Sequence, residues 1–188
     1  ARQVVFERYG QQAYSQGIKV TTSLISTDQQ AAYAALRKGV LAFDRKLPYR
    51  GPEEFEELPN DAAEEDAAAA LALKDYRDDE DLRVAIVLLA SPQAVVARLA
   101  TGETLQLKGE GLRWAQAALG AKATAPLAIK RGAIIRVQDL GGKTGWAISQ
   151  WPEVQSALVA LTPTTGRVRA LVGGFDFSTQ QFNHVTQG

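Results

Sequence analysis

Hydrophobic and polar positions change period along this chain, and the changes mark out its elements. From Gly17 the stretch Ile18-Lys19-Val20-Thr21-Thr22-Ser23-Leu24 alternates and is rich in β-branched residues, which predicts a strand. Ser26, Thr27 and Asp28 then offer side-chain oxygens for a helix start, with Gln29 and Gln30 at capping-box spacing. Ala32, Ala35, Leu36, Val40 and Phe43 recur at 3.6-residue spacing, so an amphipathic helix with one buried stripe is predicted from Asp28 to about Lys46, ended by Pro48. Beyond an alanine-rich run at 67–74, which predicts a short helix in a mobile acidic loop, the period falls to two. Val84 to Leu89 predicts a buried strand. Val95–Leu99 with Thr104–Leu107 predicts a hairpin about Thr101-Gly102, and Ala133–Gln138 with Trp146–Gln150 another about Gly141-Gly142. Several short strands with glycine turns within 82–151 suggest a small antiparallel barrel of OB type, closed so that no long edge is exposed. A last hairpin is predicted from Ser156–Pro163 and Val168–Phe177, joined at Thr164-Thr165-Gly166-Arg167.

Composition narrows the chemistry. The 188 residues include neither cysteine nor methionine, so disulfides and thiolate metal sites are excluded. The longest apolar run, Val84 to Ala90, is far short of the roughly 20 residues a membrane-spanning helix needs. Formal net charge is zero, but Glu53 to Asp81 holds 13 of the 21 acids and only Lys74 and Arg77 as bases. An acidic insert therefore interrupts a basic chain, whose remainder would suit anionic partners such as nucleic acid, lipid headgroups or cell-wall polymer. No block of five or six basic residues occurs, so solvated surface charge is the plainer reading.

The apparent catalytic motifs do not survive inspection. Lys143-Thr144-Gly145 matches the K-T-G triplet of penicillin-recognising enzymes, but no serine (15, 23, 26, 91, 149, 156, 178) has a lysine three residues on, and the triplet follows Gly141-Gly142 in a hairpin turn. Gly142-Lys143-Thr144 lacks the glycine five positions earlier that a phosphate loop requires, where Val137 stands. His184 is the lone histidine and reads as a surface or linker residue. Glu64-Glu65-Asp66 and Asp78-Asp79-Glu80-Asp81 lack the alternating ligands and central glycine of a calcium loop and read as solvated acids. Trp114, Trp146 and Trp151 are too few to serve as a nucleic-acid stacking platform. No catalytic, cofactor or metal residue is assigned, and no nucleic-acid partner is expected.

Several stretches, taken in order, carry a resemblance. Tyr9-Gly10, Ala13-Tyr14, Gly17 and Val20-Thr21-Thr22; Tyr49-Arg50-Gly51-Pro52; Glu110-Gly111-Leu112-Arg113-Trp114-Ala115; Pro152-Glu153-Val154 with Ser156-Ala157-Leu158; and Val172-Gly173-Gly174-Phe175-Asp176-Phe177 with Phe182-Asn183 and Thr186-Gln187 resemble, in the same order, segments of the class A penicillin-binding proteins of Gram-negative type. One departure is His184-Val185, where that family usually reads Arg-Ala. The resemblance implies an α+β, mainly β fold. It implies a linker with the first strand and helix of a transpeptidase domain at 1–47, an OB-like inserted domain at 48–152 with its acidic loop at 53–81, and a transpeptidase hairpin at 153–188 that ends before the catalytic serine. It implies a parent that is a bifunctional peptidoglycan synthase, glycosyltransferase and D,D-transpeptidase, acting on lipid II and peptidoglycan in the periplasm and held by an N-terminal membrane anchor. For the chain itself it implies no catalysis but a regulatory docking role toward an outer-membrane lipoprotein activator or another envelope protein. Arg98, Lys108, Arg113 and Trp114 are the candidate contact residues, beside the acidic loop. A passive spacer between two catalytic domains is the alternative.

Overall fold

The computed structural model describes residues 2–178 and 182–187. The chain divides into two compact units, one of 1–40 with 154–188 and one of 41–153.

The larger unit is a six-stranded antiparallel sheet. Its strands are β1 (Glu54–Phe55), β2 (Arg83–Ala90), β3 (Ala94–Leu99), β4 (Thr104–Lys108), β5 (Ala133–Asp139) and β6 (Trp146–Ser149), in the order β1-β5-β2-β3-β4, with β6 also paired to β5. Both predicted hairpins are present, β3 to β4 with Val95 opposite Leu107 and β5 to β6 with Val137 opposite Ile148. β2 and β5 are apolar almost throughout because each is covered on both sides. Ala85, Val87, Ala133, Ile135 and Val137 point into the curled interior with Val95, Ala97, Leu99, Leu105, Leu107 and Ile148. Val84, Ile86 and Ile134 point outward, beneath a helix.

That helix is a departure from the sequence expectation. The acidic segment folds as α4 (Ala62–Ala72), starting five residues before the alanine run and capped by Asp61, whose side chain accepts from the amides of Ala63 and Glu64. It packs Ala69 and, just past its end, Leu73 against the sheet. The acids around it are latched: Glu53 to Arg136 (2.7 and 3.0 Å), Asp78 to Arg83 (2.9 Å), Glu65 to Arg131 and Asp66 to Arg98. Solvated acids on a mobile loop were expected, whereas Glu65, Asp66 and Asp78 each meet an arginine of the sheet or its loops. Local sequence could not show those arginines as partners, since Arg98 and Arg131 lie 32 and 66 residues from theirs.

The sheet is OB-like but is not closed by a ladder. β4 and β6 approach without pairing. Between them lie a 3-10 turn, Gly109–Gly111, and a 3-10 segment, Arg113–Leu119, which drops Leu112, Ala115, Ala118 and Leu119 into the interior. Gly111 allows this approach because a Cβ there would collide with the Trp146 carbonyl.

In the smaller unit, β7 (Leu158–Leu161) and β8 (Val168–Val172) form the predicted terminal hairpin. Two short helices, α1 (Arg2–Tyr9) and α2 (Gln12–Ser15), precede α3 (Ser26–Asp44), which carries the chain from this unit into the other. The strand expected at Ile18–Leu24 is absent. This stretch meets β8 through the Ser23 hydroxyl on the Val168 carbonyl (2.7 Å) and, just beyond, the Ile25 amide on the Arg169 carbonyl (2.9 Å), too few bonds for a ladder. α3 starts at Ser26, with the Ile25 carbonyl accepting from the Gln29 amide, so the polar residues read as caps lie inside its first turn. Gln29 is no capping-box residue. Its side-chain amide bonds both the Leu171 carbonyl (2.9 Å) and the Leu171 amide (2.8 Å), copying a strand on the free edge of β8.

Ala32, Leu36 and Val40 are buried as expected, but Ala35 and Phe43 are exposed, and Arg37, Leu41 and Asp44 are buried instead. Arg37 can be buried because it donates to the Phe175 carbonyl (2.9 Å) and lies over the Phe175 ring (4.0 Å). Residues 179–181 and 188 lie outside the described residues, and Phe182–Gln187 forms a turn whose His184 amide bonds the Gly173 carbonyl (2.9 Å).

Gly132 supplies a stability test. It holds φ +85°, and an added Cβ would strike the backbone carbonyl of Glu56. Gly132→Ala is expected to cost at least about 2 kcal/mol, read as a fall in the chemical-denaturation midpoint; an unchanged midpoint would contradict this packing.

Candidate functional site

The residues joining the larger unit's two ends form a buried polar cluster. Asp44 is almost wholly enclosed, so its carboxylate must be satisfied internally. Arg50 Nη1 donates to Oδ1 (3.1 Å) and Gln150 Nε2 to Oδ2 (2.9 Å). Gln150 Oε1 in turn accepts from the Arg50 amide (2.8 Å), while Arg50 Nη2 donates to the Trp151 carbonyl (2.6 Å) and Nε faces Glu153 (3.3 Å). One guanidinium thus ties the incoming segment, 44–50, to the outgoing one, 150–153. Tyr-Arg-Gly-Pro is the local motif for this. Tyr49 enters the core, Arg50 makes the clasp, and Gly51 turns at φ +107°, where a side chain would meet the backbone of Pro126.

The four contact residues suggested by sequence are not one patch. Arg98 lies on the outer face of β3 opposite Thr104, with its guanidinium on Asp66 of α4. Lys108 is exposed at the far end of the same hairpin, opposite Ala94. Arg113 and Trp114 are neighbours on the 3-10 segment and do share a groove. Arg113 is 77% exposed and pairs with Glu110 (3.1 Å). Trp114 is half-buried, donates its indole N–H to the Leu47 carbonyl (2.8 Å), and meets the Tyr49 ring edge-on at 5.9 Å.

The groove measures 350 Å³ and is lined by Arg45, Glu110, Arg113, Trp114, Leu140 and Thr144. Four of these were not among the candidate contact residues: Arg45 and Leu140 carried no local signal, Thr144 read as part of a turn, and Glu110 entered only as part of the Glu-Gly-Leu-Arg-Trp-Ala motif. The turn itself is as expected: Lys143-Thr144-Gly145 sits in the β5–β6 connection, closed by the Leu140 amide on the Gly145 carbonyl (2.9 Å), with Gly141, Gly142 and Gly145 all at positive φ.

Comparison with known proteins settles the family. The penicillin-binding protein OB-like domain matches residues 49–154. The chain belongs to that family. Over 99% of its length it is 39% identical to penicillin-binding protein 1A of Neisseria lactamica and 37% identical to that of Escherichia coli K12, spanning 23% and 22% of those proteins. The crystal structure of penicillin-binding protein 1A from Haemophilus influenzae superposes with a TM-score of 0.77 at 30% identity, covering 99% of this chain and 26% of that one. The resemblance read from the motifs therefore holds along the whole penicillin-binding protein segment, including its α+β, mainly β fold.

In this OB-like domain the signature Glu-Gly-Leu-Arg-Trp-Ala is mainly architectural. Gly111 and Ala115 fit the gap between β4 and β6, and Trp114 fastens the 3-10 segment to the incoming chain.

Two measurements follow. Arg50→Ala leaves Asp44 buried beside only Gln150 and is expected to cost about 3 kcal/mol, with Asp44→Asn restoring part of the loss in the double variant; an additive double variant would argue against the clasp. Tyr49 gives a pH signature. Burial first, and the nearby Glu53 charge second, push its phenol above the ordinary value of 10.0. The folded state holds the neutral phenol, so this contribution is intact below that value and lost as pH rises past it. Among the described residues the hydroxyl has no hydrogen-bond partner, so Tyr49→Phe should match or exceed the parent's stability at neutral pH and show a shallower alkaline decline in melting temperature.

Proposed function

We propose that this chain is the non-catalytic docking and regulatory region of a bifunctional peptidoglycan synthase. The observation that carries the reading is the clasp of Asp44, Arg50 and Gln150, which holds the ends of the OB-like unit side by side. A unit held in that way can be inserted in a host domain without opening the host's core. The domain division proposed is the one read from sequence: host elements at 1–47 and 153–188, with the insertion at 48–152.

The whole enzyme, by this reading, is a peptidoglycan glycosyltransferase and D,D-transpeptidase that works on lipid II in the periplasm from an inner-membrane anchor. Among the described residues no helix is long and apolar enough to cross a membrane, in keeping with an anchor elsewhere in the parent. The proposed partner is an outer-membrane lipoprotein activator or a similar envelope protein. Of the candidate contact residues Arg98, Lys108, Arg113 and Trp114, Arg113 and Trp114 share a groove, whereas Arg98 is already engaged by Asp66. The ion pairs that occupy Glu65, Asp66, Asp78 and Arg98 favour a spacer role for the α4 face, which leaves docking to the groove side.

Replacing residues 53–150 by a short linker in the whole synthase tests the proposal. Basal glycosyltransferase and transpeptidase activities are expected to persist while stimulation by the envelope activator is lost; undiminished stimulation would refute docking. The 188-residue chain should also remain unlabelled by a fluorescent β-lactam.

A further inference from the structure

The arginines of the larger unit follow a rule that one of them breaks. Arg50, Arg83, Arg98, Arg113, Arg131 and Arg136 each face a carboxylate, and Arg77 is exposed to water. Arg45 is half-buried and has no acid within ion-pair distance among the described residues. Its Nη2 reaches only the Gln138 side-chain oxygen at 3.5 Å and the Ile148 carbonyl at 3.4 Å, both at the long limit of hydrogen bonding. Its guanidinium lies over the Trp114 ring at 5.2 Å. Burial also lowers its pKa, as expected for a cation taken from water without a counter-charge.

This uncompensated cation lines the 350 Å³ groove, which is large enough for a side chain and part of its neighbour. Trp114 and Leu140 give it apolar walls. The Arg113–Glu110 pair at the rim is exposed on both sides, and such a pair opens at little cost.

We propose that the groove of Arg45, Trp114, Arg113 and Leu140 binds an acidic peptide segment of a protein partner, an Asp or Glu carboxylate on Arg45 with an adjacent apolar side chain against Trp114 and Leu140. Charge complementarity selects this occupant. A carboxylate supplies Arg45 with the strong bidentate partner that its two long contacts do not. Glu110, itself paired to Arg113, repels it weakly. The inference rests on the docking reading and narrows it to one face and one chemistry.

The test uses the 188-residue chain and a fluorescein-labelled peptide with a Glu-Leu-Glu core, against the same peptide with glutamine for glutamate. Fluorescence anisotropy should show the acidic peptide binding at least about tenfold tighter. Arg45→Met, which keeps the apolar stem, should abolish that preference while leaving the melting temperature unchanged or higher. Glu110→Gln should tighten binding, and Lys122→Gln on the exposed surface should not alter it. Equal affinity for the two peptides, or full binding by Arg45→Met, overturns the proposal. So does a marked fall in melting temperature in Arg45→Met, which would make Arg45 a stabiliser of the α3 end instead. If deletion of 53–150 abolishes activation of the synthase but the peptide preference is absent, docking stands and this groove is not its seat. If the deletion leaves activation intact, docking itself fails.

Discussion

The fold of the larger unit depends on keeping one enclosed carboxylate satisfied. Asp44 sits where α3 ends, in surroundings that water does not reach, and both of its oxygens are bonded by side chains from elsewhere in the chain. Arg50 comes from six residues on and Gln150 from 106 residues on. The cluster forms only when the whole intervening sheet has folded and returned its end to its beginning. That makes closure cooperative, because a partly assembled sheet leaves a buried charge without partners.

The same logic recurs at the acidic segment. Thirteen acids in 29 residues would normally repel and stay solvated. Here Glu53, Glu65, Asp66 and Asp78 are each opposed by an arginine, and α4 covers the outward apolar residues of β2 and β5. Arg136 shows why this is stable. It is buried, yet its guanidinium is engaged by both Glu53 oxygens and by the Arg77 carbonyl (2.6 Å), so few donors are left unsatisfied. The arginines of this unit are therefore mostly met by internal carboxylates, and Arg45 stands out because it is not.

An OB-like sheet that is sealed by a 3-10 segment instead of a ladder has a functional consequence. A β4–β6 ladder would bury the seam in backbone hydrogen bonds, whereas the Gly109–Leu119 stretch places side chains there. Leu112, Ala115, Ala118 and Leu119 face inward, and Arg113 and half of Trp114 face outward. The seam becomes a surface that sequence change can retune without disturbing the sheet, which is in keeping with the docking role proposed.

Sequence alone determined the three hairpins and their turns. Both sheet hairpins and the terminal hairpin are where alternation and glycine placed them, because cross-strand pairing between neighbours is a local matter set by side-chain period and turn geometry. The ordered motifs also sufficed for the family, since they span the whole chain. Tertiary structure decided whatever depends on a distant partner. Ile18–Leu24 has the composition of a strand but no ladder to join, and Gln29 looks like a capping residue but occupies the edge of β8. The acids of α4 look solvated but meet arginines up to 66 residues away, and Arg45 shows no special role until its neighbours are known. Local pattern fixes which face of an element is apolar; which charge meets which is fixed only when the chain has folded back on itself.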